Sequence, residues 1–589
     1  MEPDHRENPT RTLLGVMLAL FLGALDQTIV ATAMPKIADE LHGLTRYTWT
    51  ATAYLLSSTV MVPIYGKLAD MHSKRTIVLG AIGTFLFGSA LCGMAGQFGP
   101  LPLLGDGMSQ LIFFRGLQGL GAAGLFSMAF IVIADLFPPA ERGKYQGMIG
   151  ATFGIASVLG PLVGGFLADH GSSFVRGVSG WRWVFYVNVP LGAVALWNVA
   201  TRMPPLHSGA TPHRLDRLSA ALLVLAVGPL VLALQVPPAA MGNGTRAALL
   251  ATTVLCMTLL ARRSLVIESS ILDFKLFRNK VFSVASGALF LYGGTMFGAI
   301  LFLPLFLVNV VGVSATQAGA SLIPLSMGMV VGSVAGGRLA SRFGRYKPIM
   351  LVGGALLFVG SILLSRMDEH VSYWQVTVYM VLCGVGIGPT MPLYPLAVQN
   401  SVEHQKIGQA TSASQFCRQI GGLVGAAALG AVLGASLLSS FQAELGSLPG
   451  VKVAIGSGTR GRPNVEQMLK SAEGSVRAEM GRRLATAVVA LHRNDEPAFE
   501  RTLQGASAES RDSALEIFRT EANGGQAVSH LGGVFERIRA DVTERLGAGV
   551  RHAFTIAVTR VYTCVAVMVL AAWLVTWMIP ELPLRKTLK

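Results

Sequence analysis

The fold is decided by an apolar stretch near the start of the chain, Leu13-Leu-Gly-Val-Met-Leu-Ala-Leu-Phe-Leu-Gly-Ala-Leu-Asp26-Gln-Thr-Ile-Val-Ala-Thr-Ala-Met-Pro35. A helix needs roughly 20 predominantly apolar residues to cross a bilayer, and this stretch supplies them. Asp26 interrupts it, although a carboxylate at the centre of a membrane helix costs about 2.5–3.5 kcal/mol on translocon-insertion scales. An ionisable residue in such a place points to a function, and its partners must come from other helices.

The composition extends this interpretation to the whole chain. Of 589 residues, 52% are hydrophobic and only 13% are charged, and 68 are glycine. A soluble domain carries about 25% charged residues, so these values predict an all-α polytopic membrane protein with closely packed helices. The five cysteines (Cys92, Cys256, Cys383, Cys417 and Cys564) lie in apolar segments without metal-ligand or disulfide spacing, and no metal is expected.

The net charge of +15 does not indicate a nucleic-acid binder, because Lys and Arg gather in short loops between apolar segments. The sequence also lacks a nucleotide-binding loop, a metalloprotease motif and a nucleophile elbow. We therefore expect no enzyme activity and no cofactor, and energy from an ion gradient.

Helical periodicity and hydropathy predict fourteen transmembrane helices. They lie near residues 12–34, 48–69, 76–97, 108–136, 145–168, 184–203, 216–237, 246–263, 281–309, 317–340, 347–366, 373–398, 408–439 and 553–579. The first is expected to be a retained helix rather than a cleaved signal.

Basic residues decide the orientation of these helices. They concentrate in the loops after the even-numbered spans, at Lys67, Lys74, Arg75, Arg142, Lys144, Arg202, Arg217, Arg262, Arg263, Lys280, Arg338, Arg342, Arg345 and Lys347. Cytoplasmic loops carry such an excess. Both termini are therefore expected in the cytoplasm.

A weak internal repeat divides the chain. Gly66-Lys-Leu-Ala-Asp70-Met-His-Ser-Lys-Arg75 follows the second span, and Gly337-Arg-Leu-Ala-Ser341-Arg-Phe-Gly-Arg345 follows the tenth. Repeated halves around a central cavity are a common transporter plan. The predicted units are a six-helix half (1–203), an inserted helix pair (204–270) and the first five helices of a second half (271–440). They are followed by an insertion (441–550) and by the last helix with its tail (551–589).

The insertion 441–550 is polar, with apolar residues at helical spacing such as Val476, Met480 and Leu484. Pro463, Pro497 and the pair Gly524-Gly525 interrupt it. It predicts a helical hairpin or bundle on the outer face, which could continue span thirteen or span fourteen outward. The alternative is a tolerated, partly disordered insertion.

Several motifs resemble one family. Gly66 to Arg75 looks like the loop signature of the major facilitator superfamily, and Leu111-Ile-Phe-Phe-Arg115-Gly-Leu-Gln118-Gly119-Leu-Gly121 resembles its fourth-span signature. Gly154-Ile-Ala-Ser-Val-Leu-Gly160-Pro161-Leu-Val-Gly164-Gly165 is similar to its fifth-span antiporter signature. The stretches around Asp26 and Trp181-Arg-Trp-Val-Phe-Tyr-Val-Asn188-Val-Pro190 look like the fourteen-span drug:proton antiporter branch.

The resemblance covers the chain except 441–550, and it implies antiport. The sequence departs from the loop signature at Met71 and Ser73, and Ser341 replaces the acid in the second copy. These departures concern how strongly the loops hold one conformation, and they leave the fold prediction unchanged.

Asp26 and Arg115 are predicted to lie at similar depth. A buried arginine needs a partner, so Arg115 is expected to tune proton affinity by pairing with Asp26 or by acting through Gln118 and water. A purely structural arginine is the alternative.

The other motif residues are expected to control conformation. Asp70 can accept bonds from the N-terminal amides of a neighbouring helix or pair with Arg142, and rocking of the halves would break either contact. The glycines of span five would line one side for close packing, with a bend at Pro161. The residues assigned to this role are Gly66, Asp70, Arg75, Gln118, Gly119, Arg142, Gly154, Gly160, Pro161, Gly164, Gly165, Arg342 and Arg345.

Candidate cavity residues are polar or flexible side chains within the spans: Gln27, Tyr54, Asn188, Tyr292, Asn309, Met391, Tyr394, Gln415 and Arg418. Arg418 has three open interpretations, an anionic group of the cargo, a lipid, or a carbonyl or carboxylate across the cavity. Pro389, Pro392 and Pro395 are expected to distort span twelve.

The resulting expectation is a monomeric proton-coupled antiporter in a bacterial cytoplasmic membrane that exports hydrophobic or cationic drug-like compounds. Its partners would be the bilayer, protons and a small molecule. One alternative is an exporter of lipids or glycolipids that uses 441–550, with a partner in the cell envelope. Another is a non-transporting scaffold or sensor, against which the combination of Asp26, Arg115 and Gly160-Pro161 argues.

Overall fold

A computed structural model describes residues 9–43, 46, 48–102, 104–175, 177–207, 215–236, 241–267, 270–313, 320–445, 465–504, 506–521 and 527–587. The architecture of these residues is helical, with a single isolated β-bridge between Leu101 and Gly105. Pro463 and the predicted break at Gly524-Gly525 lie outside the described residues.

Nineteen α-helices occur in the described ranges. They are α1 Pro9–Glu40, α2 Thr48–Met71, α3 Lys74–Met94, α4 Gly107–Leu136, α5 Pro139–His170, α6 Trp183–Tyr186, α7 Asn188–Arg202, α8 Arg217–Gln235, α9 Asn243–Val266, α10 Lys280–Phe306, α11 Leu322–Phe343, α12 Lys347–Ser365, α13 Tyr373–Ile387, α14 Thr390–Ser401, α15 Ile407–Leu445, α16 Val465–His492, α17 Glu496–Thr502, α18 Ala508–Glu521 and α19 Ala527–Trp577.

Twelve helical segments of the described chain are long and apolar enough to cross a membrane, judged by length and composition. Helices α2 and α10 also cover predicted spans, the second and the ninth. The chain is therefore a multi-pass membrane protein.

Two predicted spans are interrupted by proline or a short turn. The predicted twelfth span consists of α13 and α14, which are separated at Gly388 and Pro389. Proline has no amide hydrogen to donate, so it interrupts the hydrogen-bond ladder and bends the segment. The predicted sixth span starts with the single turn α6 and continues as α7.

The helices pack as two halves, and α8 of the inserted pair contacts both of them. In the first half α1 packs on α5 and α7, and α4 packs on α2 and α3. In the second half α10 packs on α15 and α19, and α13 packs on α11 and α12. Helices α8 and α9 pack on each other, and α8 also touches α2.

The halves meet through two helix pairs, α2 with α15 and α5 with α11. The second helix of each half thus faces the fifth of the other, as expected for repeated units around a central axis. Small residues permit the approach: a Cβ on Gly143 would lie 2.7 Å from the carbonyl oxygen of Gly337. We call the end of the bundle where α2 ends and α3 begins the basic end.

Residues 465–504 and 506–521 fold beside the first part of α19. Apolar side chains from all four helices are buried together: Val476 and Met480 from α16, Phe499 from α17, Phe518 from α18, and Leu531 and Phe535 from α19. The rings of Phe499 and Phe518 lie 4.7 Å apart. Helix α19 runs unbroken for 51 residues from this cluster into the bundle.

Candidate functional site

Asp26 lies in the middle of α1 with a fully buried side chain. Three groups donate hydrogen bonds to its carboxylate: Arg115 Nη1 at 2.7 Å, Gln118 Nε2 at 2.9 Å and Asn188 Nδ2 at 3.0 Å. They come from α4 and from the first residue of α7. The donors satisfy a charge that would otherwise be very costly to bury.

Arg115 is buried against two further groups. Its Nη1 also donates to Gln118 Oε1 at 2.7 Å, and its guanidinium carbon lies 4.2 Å from the centre of the Tyr54 ring. A guanidinium over an aromatic face gains cation–π stabilisation. The Asp26–Arg115 pair is therefore held by Gln118 and Asn188 at the carboxylate and by Gln118 and the Tyr54 ring at the guanidinium.

Local sequence rules explain this placement. Asp106 caps the N-terminus of α4 by accepting from the amide of Ser109 at 3.0 Å. Arg115 and Gln118, three residues apart on α4, then share the face that meets α1. Gly119 lets α2 approach, since a Cβ there would lie 2.5 Å from the carbonyl oxygen of Tyr54.

A cavity of about 470 Å³ lies between the two halves, next to the ion pair. Gln27 and Thr28, which follow Asp26, line it, and so does Tyr54. Asp26 and Arg115 do not line it. Because the Tyr54 ring touches Arg115 on one side and the cavity on the other, it separates the ion pair from the cavity.

Polar groups line the cavity on both halves. Thr28, Ser58 and Ser157 contribute hydroxyl groups from the first half, and Ser326 and Ser361 from the second. Sequence reasoning missed these residues, since single hydroxyls in apolar spans usually bond to their own helix. Ser157 does donate to Phe153 O at 2.9 Å.

Arg418 of α15 lines the second-half side of the cavity. Its Nε donates to Gln415 Oε1 at 2.8 Å. Of its three open interpretations, a bond to a carbonyl or a carboxylate across the cavity does not occur among the described residues. Its Nη1 and Nη2 have no hydrogen-bond partner among the described residues.

Six predicted cavity residues are placed elsewhere. Tyr292 and Tyr394 pack with ring centres 5.6 Å apart, and Tyr394 Oη lies 2.6 Å from Thr576 Oγ1 in a buried cluster. The others are Asn188, which binds Asp26, Asn309, which donates to Leu305 O of its own turn, and the buried Met391 and Gln415. Helical phase was the missing information, because polarity alone does not tell which neighbour a side chain faces.

The basic end holds the predicted loop motifs. Asp70 Oδ1 and Oδ2 accept from the amides of Gly408 and Gln409, at 3.0 and 2.8 Å. The alternative pairing with Arg142 is wrong, because Arg142 donates to the carbonyls of Phe137 and Ala134 at 2.9 and 2.7 Å. Of the two options, the helix-terminus bond is the one formed.

Charged neighbours support this end of the bundle. Lys74 Nζ lies 2.7 Å from Asp135 Oδ2 in a buried ion pair that sequence reasoning missed, although the acid ends the apolar span four. Arg75 donates to the carbonyl of Ala200. Arg342 and Arg345 are exposed.

The glycines of α5 face three directions. A Cβ on Gly154 would meet Val330 and Ser326 of the second half, whereas one on Gly160 or Gly164 would meet α1 at Thr28 or Thr32. A Cβ on Gly165 would have no atom within 4 Å. The expectation of a single packing side is wrong, since adjacent helical residues point about 100° apart. Pro161 lines the cavity.

Further hydrogen bonds join the halves at the basic end. The amide of Lys144 donates to Ser341 Oγ at 3.0 Å, and Gln146 Nε2 donates to Gln399 Oε1 at 2.8 Å. The amide of Ala140 donates to the carbonyl of Arg585 at 3.1 Å, so the C-terminal segment touches the first half. The basic end is closed in this conformation.

The cavity lies toward the other end of the bundle. Many of its lining residues come from helix parts distant from the basic end, such as Thr32 late in α1, Leu55 early in α2, Pro161 late in α5 and Leu322 at the start of α11. Thr32 is also exposed. A molecule would therefore reach the cavity from the end opposite the basic one.

Comparison with known proteins identifies the family. The sequence profile of the Major Facilitator Superfamily matches residues 16–426. The multidrug transporter protein MdtP of Bacillus subtilis is 38% identical over 453 residues, which cover 74% of this chain and 79% of that protein. Multidrug resistance protein 3 of the same bacterium is 35% identical over 433 residues, covering 71% and 78%.

Solved structures agree on the fold. The human organic anion transporter MFSD10 has a TM-score of 0.52 at 16% identity, and the match covers 73% of this chain and 94% of that chain. At this identity the likeness shows the fold alone. Since the family profile matches most of the chain and the curated relatives align over more than two thirds of it, this protein belongs to the major facilitator superfamily, whose members are membrane transporters and not enzymes.

Proposed function

We propose that this protein is a proton-coupled antiporter that exports hydrophobic, drug-like compounds across a bacterial cytoplasmic membrane. The observation that carries the proposal is the Asp26–Arg115 pair, buried directly behind the cavity wall formed by Tyr54. A buried carboxylate whose partner can be released by protonation couples a proton to a change in the cavity. The names of the two Bacillus relatives support multidrug export.

The proposal includes the fourteen-span topology of the drug:proton antiporter branch. All fourteen predicted spans would cross the bilayer, with the halves 1–203 and 271–440 plus 551–589, and with 204–270 as the inserted pair. The concentration of Lys and Arg at the basic end supports placing that end and both termini in the cytoplasm. The segment 441–550 would then lie outside, and the protein would work as a monomer.

In this orientation the described conformation faces outward. A proton from outside would reach Asp26, neutralise it and free Arg115 from its partner. The halves would then rock, and the bonds from Asp70 to the amides of Gly408 and Gln409 would break as the basic end opens. Release of the proton inside and binding of cargo from the cytoplasm or inner leaflet would return the carrier.

Export of lipids or glycolipids is the second candidate. Helix α15 continues to Leu445, and α19 carries the helical cluster of residues 465–504 and 506–521 on its first part. Such an extension could guide an amphiphile away from the bilayer, with or without an envelope partner. Replacing residues 446–526 by a short flexible linker discriminates, because drug efflux should survive and lipid delivery should fail.

The decisive test uses everted membrane vesicles with an acidic interior. Wild-type protein should accumulate hydrophobic fluorescent compounds, assayed as one neutral, one cationic and one anionic dye, only while the pH gradient is present. Asp26→Asn should remove this uptake, and Asp169→Asn, at an exposed pair with Lys36, should not. Gradient-dependent uptake by a correctly folded Asp26→Asn protein at the wild-type rate would contradict the role of Asp26.

A further inference from the structure

The fixed charges around the cavity are unequal on its two sides. On the first-half side, the positive charge of Arg115 is compensated by Asp26 at 2.7 Å. On the second-half side, Arg418 is the only charged residue among the described residues that line the cavity. The cavity therefore carries one uncompensated positive charge.

The guanidinium of Arg418 is positioned to bind a ligand. Gln415 Oε1 accepts from its Nε at 2.8 Å, which fixes the plane of the group. Its Nη1 and Nη2 have no hydrogen-bond partner in the described part of the chain. Arg418 carries more hydrogen-bond donors than any other residue that lines the cavity, so these two nitrogens are available to a ligand. A guanidinium offers paired donors that match a carboxylate, sulfonate or phosphate.

Most side chains around Arg418 in the cavity are apolar, and the polar ones, such as Ser326 and Ser361, are uncharged. Side chains of Leu325, Met329, Leu357, Leu423 and Val565 line the second-half side of the same cavity. Apolar walls bind an apolar body and provide few groups to stabilise a charge. A cation placed in this cavity would meet Arg418 without a compensating carboxylate, since the carboxylate of Asp26 lies behind Tyr54.

We propose that Arg418 forms an anion subsite, and that the cargo is a hydrophobic molecule with one anionic group. This inference rests on the proposed export function and specifies its substrate class, against the expectation of cationic compounds. Arg418 binds the anionic group, Gln415 orients the guanidinium, and the apolar side chains bind the rest of the molecule. Like charges disfavour a cationic cargo at the same place.

Binding of three matched probes tests the subsite. 1-Pyrenebutyrate, 1-pyrenebutanol and 4-(1-pyrenyl)butyltrimethylammonium share one aromatic body and differ in charge. Dissociation constants are measured by equilibrium dialysis with the full-length protein in lipid nanodiscs, with empty nanodiscs subtracted. Wild-type protein should bind the anion most tightly. Arg418→Gln should weaken anion binding about tenfold or more, as expected for a lost hydrogen bond to a charged group, and should leave alcohol binding unchanged.

Two further variants control the result. Arg418→Lys keeps the charge and loses the paired donors, so its affinity for the anion should be intermediate. Arg560→Gln removes an exposed arginine of α19 that does not line the cavity, and all three affinities should stay at wild-type values. Retained alcohol binding by Arg418→Gln shows that the cavity is intact.

Either of two results would overturn the subsite. The first is that wild-type protein binds the trimethylammonium probe at least as tightly as the anion. The second is that Arg418→Gln weakens the binding of all three probes equally. Vesicle uptake of the same probes separates this inference from the proposed function. If binding depends on Arg418 but no probe is taken up in response to the gradient, the export function is contradicted and the subsite is not. If the alcohol is taken up in response to the gradient and the anion is not preferred, the subsite is contradicted and the export function is not.

Discussion

Asp70 Oδ1 accepts a hydrogen bond of 3.0 Å from the amide of Gly408, so a carboxylate at the end of α2 in one half caps the start of α15 in the other. The amides at a helix start lack partners within their helix and carry partial positive charge. The capping aspartate therefore stabilises the conformation in which the basic end is closed.

Asp70→Ala is expected to open the basic end. A charge-assisted hydrogen bond contributes roughly 2 kcal/mol, which corresponds to about a thirtyfold change in the ratio of the two conformations. Spin labels at the exposed positions Glu141 and Phe343, in a protein without its native cysteines, report the distance across this end. The long-distance population should rise in Asp70→Ala, rise less in Asp70→Asn, and stay unchanged in the distant Asp169→Asn. An unchanged distribution in Asp70→Ala would rule out this role.

Tyr54 is predicted to prevent proton leakage. Its ring contacts the Arg115 guanidinium and lines the cavity, while its hydroxyl has no hydrogen-bond partner in the described residues. Tyr54→Ala should therefore let protons enter proteoliposomes without cargo, measured with a pH-sensitive dye in the lumen. Tyr54→Phe keeps the ring and should remain as tight as wild type. Equal leakage from the two variants would contradict the barrier role of the ring.

Gly66 tests the packing of the two halves. Alanine usually stabilises a helix by up to about 1 kcal/mol relative to glycine. A Cβ on Gly66, however, would lie 2.5 Å from Ser412 Cβ and 2.7 Å from the Gly408 carbonyl oxygen across the interface. Gly66→Ala should therefore lower the population with a closed basic end, measured with the same spin labels. Gly165→Ala, with no atom within 4 Å of its Cβ, should show wild-type distances. In Gly165→Ala the higher helix propensity of alanine should be the only effect, and it should raise the melting temperature slightly.

Asp106 gives the stability of the first half a dependence on pH. Hydrogen bonds from Arg46 and then Ser109 lower the pKa of this capping carboxyl to about 2. Because the pKa is lowered on folding, the stabilisation is fully present above the unfolded pKa of about 3.9 and is lost as the pH falls toward about 2. Asp106→Asn should melt below wild type near neutral pH, and the gap should close with acidification.

The exposed Asp39 provides the control for this experiment, since Asp39→Asn removes an acid for which the structure describes no side-chain bond. Its melting temperature should follow wild type at every pH. A gap between wild type and Asp106→Asn that is independent of pH would show that the cap acts through geometry and not through charge.

The helical membrane class and the family were predictable from hydropathy and motif order. The contact between Asp26 and Arg115 was also predictable, because a buried acid and a buried base at equal depth have few other options. The partner of Asp70 was not, since the sequence allowed two acceptable ones and only the docking of α15 selects the amides of Gly408 and Gln409.

Other features depended on helical phase and on breaks within spans. Asn188 was expected in the cavity, but the short turn α6 before it directs its amide to Asp26 and Ser89. Tyr394 was also expected there, yet the break at Gly388 and Pro389 sets the phase of α14 so that its hydroxyl meets Thr576. Such rotations depend on tertiary packing, which periodicity does not report.

The unbroken helix α19 acts as a lever. The 26 residues that precede the predicted last span, 527–552, extend about 39 Å at 1.5 Å per residue. Each degree by which the span tilts would displace the far end of this arm by about 0.7 Å, on that same geometry. The helical cluster that packs on this part of α19 would move with it. A small tilt of the last span in the bilayer would therefore displace the cluster by several ångströms, far from the cavity.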